Sequence, residues 1–433
     1  MSSPAERAQQ FIQDHGLNLG AKDAETFYNS FSQEMQKGLE GKGGSLAMLP
    51  TYIGVDKLIP PGKTALVIDA GGTNLRVCKV KFDDKGEPNI GEFQLFTMPG
   101  TSGELSANEF FQCFADYISP ILEDRSIQSI GFCFSYPTEI LPNRDGILLN
   151  WTKEVQAPEV VGQQIGRGIL ERIKTRDDLE LVILNDTVAA LLAAKAQGER
   201  HLSDNYAGFI LGTGTNMAIV TDNKSISKID DAPEGQQAIN MESGNFHPPF
   251  TSDIDDRYCQ STNLPDHHRL EKMISGAYLG DLYLTGLKTA QEEGLFSPEG
   301  QDIISKISSF STRELGELSA NPHLEGPLKE LPSDDLQIAY LLGKQFIKRA
   351  SWLSSFMIAG SLRNLKQGQN PLHPICITID GSTAHKLHGF YNQLETNLTD
   401  LLNREGIYFI TSHRDQAPVI GAAIAALTNS SKS

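Results

Sequence analysis

Three stretches of this sequence run a β-branched apolar segment straight into a turn of glycines and small hydroxyl residues: LVIDAGGTN (66–74), GFILGTGTN (208–216) and ICITIDGST (375–383). Tight turns of this composition aim several backbone N–H groups into one concavity, a nest for anionic oxygens, and their hydroxyls add donors. Asp69 ends the first apolar run. A carboxylate there can hold Mg²⁺ through the ion's water shell while phosphate oxygens take other positions on the ion. One Gly-Gly turn is explained as well by backbone geometry, because glycine accepts positive φ. Three such turns, two preceded by Asp and two closed by Thr-Asn, point to related halves that clamp one triphosphate. Asp186, in the run NDT (185–187) ahead of an Ala- and Leu-rich segment, reads by itself as a helix N-cap.

Neighbouring patterns fail on spacing. GKT at 62–64 ends like a P-loop, but the pattern needs Gly at the position of Lys57 and a following helix, where a strand is expected. None of the three glycine turns has the G-x-G-x-x-G of a dinucleotide fold. TSDIDDRY (251–258) lacks the EF-hand spacing and is expected to be a solvated loop. DHHR and HKLH form no closed ligand set, so no zinc site is expected.

These turns need strands and helices to hold them. Apolar runs at 129–134 and 179–184 read as further strands, the second leading into a helix, and 265–368 is mainly helical. Phe27, Phe31 and Met35 recur every four residues as a core stripe, and Ser333 is placed to cap a helix carrying Ala339, Leu342, Phe346, Ala350 and Leu353 on one side. Strands alternating with helices on both sides of the midpoint predict an α/β protein of two lobes. The 433-residue length suits two sizeable cores.

A formal charge of −17 argues against nucleic acid as a partner, because such binding rests on Lys and Arg neutralising phosphates. No apolar run approaches the ~20 residues that a membrane span needs. The N-terminal residues lack the basic start and apolar core of a secretory signal. Five scattered cysteines without a C-x-x-C pair fit neither a disulfide framework nor a cysteine zinc site. A cytoplasmic protein is expected.

Eight ordered segments carry a resemblance. IDAGGTNLRV, FSYPT, NWTK, LNDT, GTGTN, INMESGNF, EKMISGAYLGD and TIDGSTAHKLH are similar to motifs of the hexokinase family, and the similarity runs from about residue 47 to 421. The resemblance implies the two-lobed actin-like ATPase (ribonuclease H-like) fold, with a sugar and ATP cleft between a small domain at 63–186 and a large domain at 1–62 and 187–417. The terminal helix at about 418–428 is expected to pack on the small domain. It implies ATP-dependent phosphorylation of a hexose on its 6-hydroxyl, with glucose expected first and mannose and fructose as further candidates. Monomer and homodimer both stay open.

Carried over residue by residue, the resemblance assigns sugar contacts to Ser135, Thr152, Lys153, Asn185, Asp186, Asn216, Glu242 and Glu271. Asp69, Gly71, Gly72, Thr73, Asn74, Arg76 and Thr213 would face the phosphates, and Asp380, Gly381, Ser382 and Thr383 the adenosine. Asp186 would be the catalytic base, with Lys153 and Arg76 as cations near the transferring charge and Asp69 holding Mg²⁺ through water. Arg76 reads equally well as a salt-bridge partner. The chain departs from the family at Tyr136 (usually Phe), Thr138 (often Cys), Glu154 and Val155 (usually Gly-Phe), Ser243 (usually Trp) and Asn245 (usually Ala), all beside proposed sugar contacts. Two rival readings keep the fold: a silent sugar sensor, which would be expected to damage the base or the turns, and an actin-like ATPase, in which NWTK, LND and EKMISG would have no purpose.

Overall fold

The apolar runs between the turns become strands covered on both faces. This is seen in a computed structural model that describes residues 2–72, 74–151, 155–196, 203–230, 234–323, 325–363, 365 and 367–430, the Glu92 side chain excepted. Strands β1 (Leu49–Gly54), β2 (Thr64–Gly71), β3 (Asn74–Phe82), β4 (Pro88–Thr97) and β5 (Ile127–Phe134) come first. A short hairpin of β6 (Thr138–Ile140) and β7 (Gly146–Leu148) precedes β8 (Leu181–Leu184). The second half adds β9 (Asn205–Leu211), β10 (Thr215–Asp222), β11 (Gln236–Asn240), β12 (Ile375–Asp380) and β13 (Phe409–Ser412).

One sheet has the order β4-β3-β2-β5-β8 and the other β1-β11-β10-β9-β12-β13. Leaving β1 aside, both follow one plan. Three strands form an antiparallel meander, and its first strand then pairs in parallel with a fourth, which pairs in parallel with a fifth. The repetition hinted at by the glycine turns is therefore a repetition of topology. The first turn joins β2 to β3 and the second joins β9 to β10, at matching corners of the two sheets.

Central β2 is buried along Thr64–Ala70, as a strand with helices on both faces must be. On one face lies the helix Ala107–Ile118, started by a Ser106/Glu109 capping box and packing Phe110, Phe111 and Phe114 against Ile68 and Ile130. On the other lie the helices Asp186–Ala193 and Ala417–Asn429, whose small side chains share one core with residues of both sheets. Small residues allow backbone contact here. A Cβ added at Gly421 would stand 1.9 Å from the Ala189 carbonyl oxygen, and one at Gly131 would stand 2.1 Å from that of Ala422. Gly421→Val is expected to destabilise the protein by at least about 1–3 kcal/mol, because backbone cannot yield as a side-chain tip does. Chemical denaturation would measure it, and an unchanged midpoint would show that the two helices can separate at no penalty.

The second core is largely helical. The 31-residue helix Ser333–Arg363 runs through it with Ala339, Leu342, Phe346, Ala350 and Leu353 buried, and Phe27, Phe31 and Met35 pack into the same cluster. Two expectations change. Ser333 is the first helical residue and not the cap, since the Pro332 carbonyl accepts from the Leu336 N–H at 2.8 Å. TSDIDDRY is no solvated loop: Ser252 and Asp255 form a capping box that starts the helix Asp253–Gln260, and buried Asp255 pairs with buried Arg349. All five cysteines are free, and among the described residues no helix is long and apolar enough to cross a membrane.

Candidate active site

The β2–β3 turn brings the first set of groups together. Asp69 lies opposite Arg76 on β3 and Cys133 on β5. Burial raises its carboxyl above the ordinary range, and the charge of Asp186 pushes the same way; Arg76 and a hydrogen bond with Cys133 pull it back. Arg76 Nη1 stands 3.5 Å from Asp69 Oδ2 with half of the arginine side chain open to solvent. It is an ion-pair partner that still presents charge outward. Gly71 pairs with Asn74 across the turn, Gly72 takes φ 74°, and the Ser135 N–H donates to Ala70 at 3.2 Å. Thr73, Thr152 and Lys153 lie outside the described residues.

Asn185 and Asp186 follow β8 directly. Asn185 is the N-cap of the helix Asp186–Ala193, accepting from the Thr187 N–H at 2.9 Å, and Asp186 is the first helical residue. The capping role weighed for Asp186 thus belongs to its neighbour. A line of amides then leads to the other sheet. Asn216 Nδ2 stands 3.5 Å from Asn185 Oδ1 and donates to Asn240 Oδ1 at 2.7 Å, and Asn240 Nδ2 donates to Glu242 Oε1 at 2.8 Å. Glu242 sits in left-handed backbone at φ 55°. Burial raises its carboxyl; the Asn240 bond opposes this, while the charges of Asp186 and Glu271 add to it. Glu271, from the helix Arg269–Ile274, accepts from the Thr215 N–H at 2.9 Å and is likewise raised by burial.

The second turn and the third glycine segment rest on each other. Thr383 Oγ1 donates to Gly212 at 2.8 Å, and the Thr213 carbonyl accepts from the Ala277 N–H at 3.0 Å. Gly381 has φ 107°, and a Cβ there would stand 2.3 Å from the Leu211 carbonyl oxygen, so only glycine lets the segments meet. Beside them opens a cavity of about 930 Å³ whose lining includes Thr213, Gly276, Ser382, Thr383 and Lys386. Its size is that of a small-molecule or cofactor pocket. Asp380 ends β12 just outside this lining, its Oδ1 accepting from the Gly381 N–H at 2.6 Å.

Oxygen donors dominate the junction. Asp69 is desolvated and feels the charge of Asp186, so a hydrated divalent cation is the counter-charge that this donor set fits. Two hexokinase family models match the chain, over residues 9–196 and 206–428.

The chain belongs to the hexokinase family.

It is 30% identical to a hexokinase-1 of Arabidopsis thaliana, over 93% of this chain and 87% of that one. It is 28% identical to hexokinase-3 of Mus musculus over 84% of this chain and 41% of that one, so it spans about two fifths of the length of such relatives. A hexokinase of Schistosoma mansoni solved with glucose superposes with TM-score 0.76 at 22% identity, covering 98% of this chain and all of that one (100%). Another hexokinase crystal structure gives 0.82 at 24%, covering 98% of each. The fold is that of the two-lobed, actin-like hexokinases.

Two of the residues at which the chain departs from the resembling motifs acquire contacts. Tyr136 is buried edge-on against Trp151, ring centroids 5.0 Å apart, and its hydroxyl donates to the Gly72 carbonyl at 2.8 Å. Burial pushes the phenol up to about 12, so the proton stays on oxygen. A phenylalanine cannot make this tie between the FSYPT loop and the first glycine turn. Tyr136→Phe is therefore expected to raise the KM for ATP about 2- to 10-fold, the worth of one net hydrogen bond, with the sugar KM unchanged. Steady-state kinetics in both substrates would decide it, and an effect on the sugar alone would sink it. Ser243 is fully buried; its N–H donates to Asn216 Oδ1 at 3.1 Å, while its hydroxyl has no partner among the described residues. Asn240, in the segment INMESGNF, carries no signal of its own in sequence; the register of β11 against β10 makes it the bridge from Asn216 to Glu242.

Proposed function

We propose that this chain transfers the γ-phosphoryl group of Mg·ATP to the 6-hydroxyl of a hexose, glucose being the first candidate and mannose and fructose the next. The observation that carries the reading is the placement of Asp186. It starts a helix already capped by Asn185, and its charge bears on both Asp69 in one sheet and Glu242 beyond the other. A sugar in that gap would meet Asn185, Asn216, Glu242 and Glu271, acceptors and donors matched to hydroxyl groups. Its 6-oxygen would attack the γ-phosphorus as the bond to ADP breaks, with the hydroxyl proton passing to the Asp186 carboxylate.

The Gly71–Gly72 turn, Thr73, Asn74, Arg76 and Thr213 are assigned to the phosphates, Ser135, Thr152 and Lys153 to the sugar, with Lys153 also beside the transferring charge, and the 930 Å³ cavity to the adenosine. Asp69 would hold the magnesium ion, which supplies charge neutralisation for the transferring group. A lobe of 63–186 closing on one of 1–62 and 187–417 would exclude water, the competing acceptor. The test is ADP release with Mg·ATP and glucose, fructose, mannose or no sugar. Release that depends on sugar supports the kinase. Sugar-independent hydrolysis would replace it with the ATPase reading, and sugar binding without release with the sensor.

A further inference from the structure

The histidines of HKLH close no ligand set in sequence, yet the fold supplies one. Asp380, His385 and His413 offer ligand atoms that all lie within 4.8 Å of one another, from the end of β12, the short helix Ser382–Lys386 and the residue after β13. The parallel pairing of β12 with β13 is what brings His413 there. The two imidazole centroids are 4.1 Å apart. Both rings converge on one backbone carbonyl, His385 Nε2 at 2.9 Å and His413 Nδ1 at 3.4 Å from the Ile379 oxygen. A carbonyl that fixes ring orientation in this way is the usual outer support of metal-binding histidines. Tyr391 stacks on His385 at 5.1 Å, and Asp415 Oδ1 stands 3.6 Å from His413 Nε2 as a further carboxylate within reach.

The donor set chooses the metal. Two imidazoles and a carboxylate suit zinc and its borderline neighbours, whereas magnesium prefers oxygen alone. Tetrahedral bonds of about 2.1 Å need ligand atoms roughly 3.4 Å apart, so the cluster must contract by about 1 Å. His385 and His413 are exposed and have room to do so.

We propose that Asp380, His385 and His413 bind one zinc-class divalent cation, and that its binding weakens the binding of nucleotide. The second half rests on the functional reading above. His385 lines the 930 Å³ cavity, and Asp380 leads directly into Gly381, which packs on the second turn at Leu211. Drawing both residues onto a metal moves one wall of the cavity.

The experiment is a calorimetric titration of ZnCl₂ into the full chain, stripped with EDTA and free of nucleotide, for the unmodified protein, His413→Ala and His385→Ala. One equivalent bound by the unmodified protein, weakened about 10-fold or more in each variant and undisturbed by excess Mg²⁺, is the expected result. No binding, or equal binding in both variants at unchanged Tm, overturns the site. Because no nucleotide is present, that outcome leaves the kinase reading standing. With zinc buffered at half-saturation, the KM for Mg·ATP should rise in the unmodified protein but not in His413→Ala, with the KM for sugar constant. A KM for Mg·ATP that ignores bound zinc overturns the coupling to nucleotide.

Discussion

Asp186→Asn is expected to lower kcat for sugar-dependent ADP release by about 10²–10⁴-fold, the contribution of a positioned proton acceptor, with little change in Tm or in the sugar KM. Two opposing effects keep the fold indifferent. The helix Asp186–Ala193 keeps its cap, because Asn185 and not Asp186 accepts from the Thr187 N–H. Loss of a carboxylate from the first turn forgoes about 0.3–1 kcal/mol of interaction with the helix dipole. Removing that charge also relieves Asp69 and Glu242, on both of which it acts unfavourably. Asparagine keeps the shape and the hydrogen-bonding oxygen but cannot take the proton. Thermal unfolding beside steady-state kinetics separates the outcomes. If kcat stays within tenfold of the unmodified value, Asp186 is only a charge at a helix start and the proton goes elsewhere.

What was legible in the sequence follows from how local each feature is. A β-branched run that stops at Gly-Gly announces strand and turn by itself, so β2, β9 and β12 and their turns were readable from residues 66–74, 208–216 and 375–383. The same holds for the core stripe of Phe27, Phe31 and Met35. Register is not local. That Arg76 pairs with Asp69, that Asn240 links Asn216 to Glu242, and that His413 meets His385 all depend on which strands lie side by side. The cap shows the finer limit: NDT offers three capping side chains in succession, and only the structure shows that Asn185 takes the cap. At TSDIDDRY the aspartates suggested solvent, whereas Ser252 three residues before Asp255 was a capping signal that outweighed them. The eight motifs name the candidate site residues, but their electrostatics come only with burial.

Those electrostatics make Glu242→Gln the most informative change after Asp186. Glu242 is held in left-handed backbone with its carboxyl raised by burial and by the charges of Asp186 and Glu271, against one opposing bond from Asn240. A carboxyl that binds its proton more tightly when folded favours the fold at low pH. Its penalty is absent below the ordinary carboxylate range, grows as pH rises from the unfolded pKa towards the raised folded one, and is complete above that. Glutamine keeps an oxygen for Asn240 Nδ2 and carries no charge. The variant should therefore unfold at a higher temperature than the unmodified protein at pH 7 without sugar, and the two should converge near pH 4, roughly the ordinary carboxylate value. Function moves the other way. A hydrogen bond from a sugar hydroxyl is worth about 1.5–3 kcal/mol to a charged acceptor and about 0.5–1.5 kcal/mol to a neutral one, so loss of the charge alone should raise the KM for hexose about 5- to 10-fold. The upward shift in Tm that sugar gives the unmodified protein should fade with it, since a ligand stabilises only what it binds. A variant less stable at pH 7 would show that the Glu242 carboxylate is satisfied by the fold itself. An unchanged KM would remove Glu242 from the sugar site. Stability gained and affinity lost in the same variant would identify a residue kept at the expense of the fold for the ligand it holds.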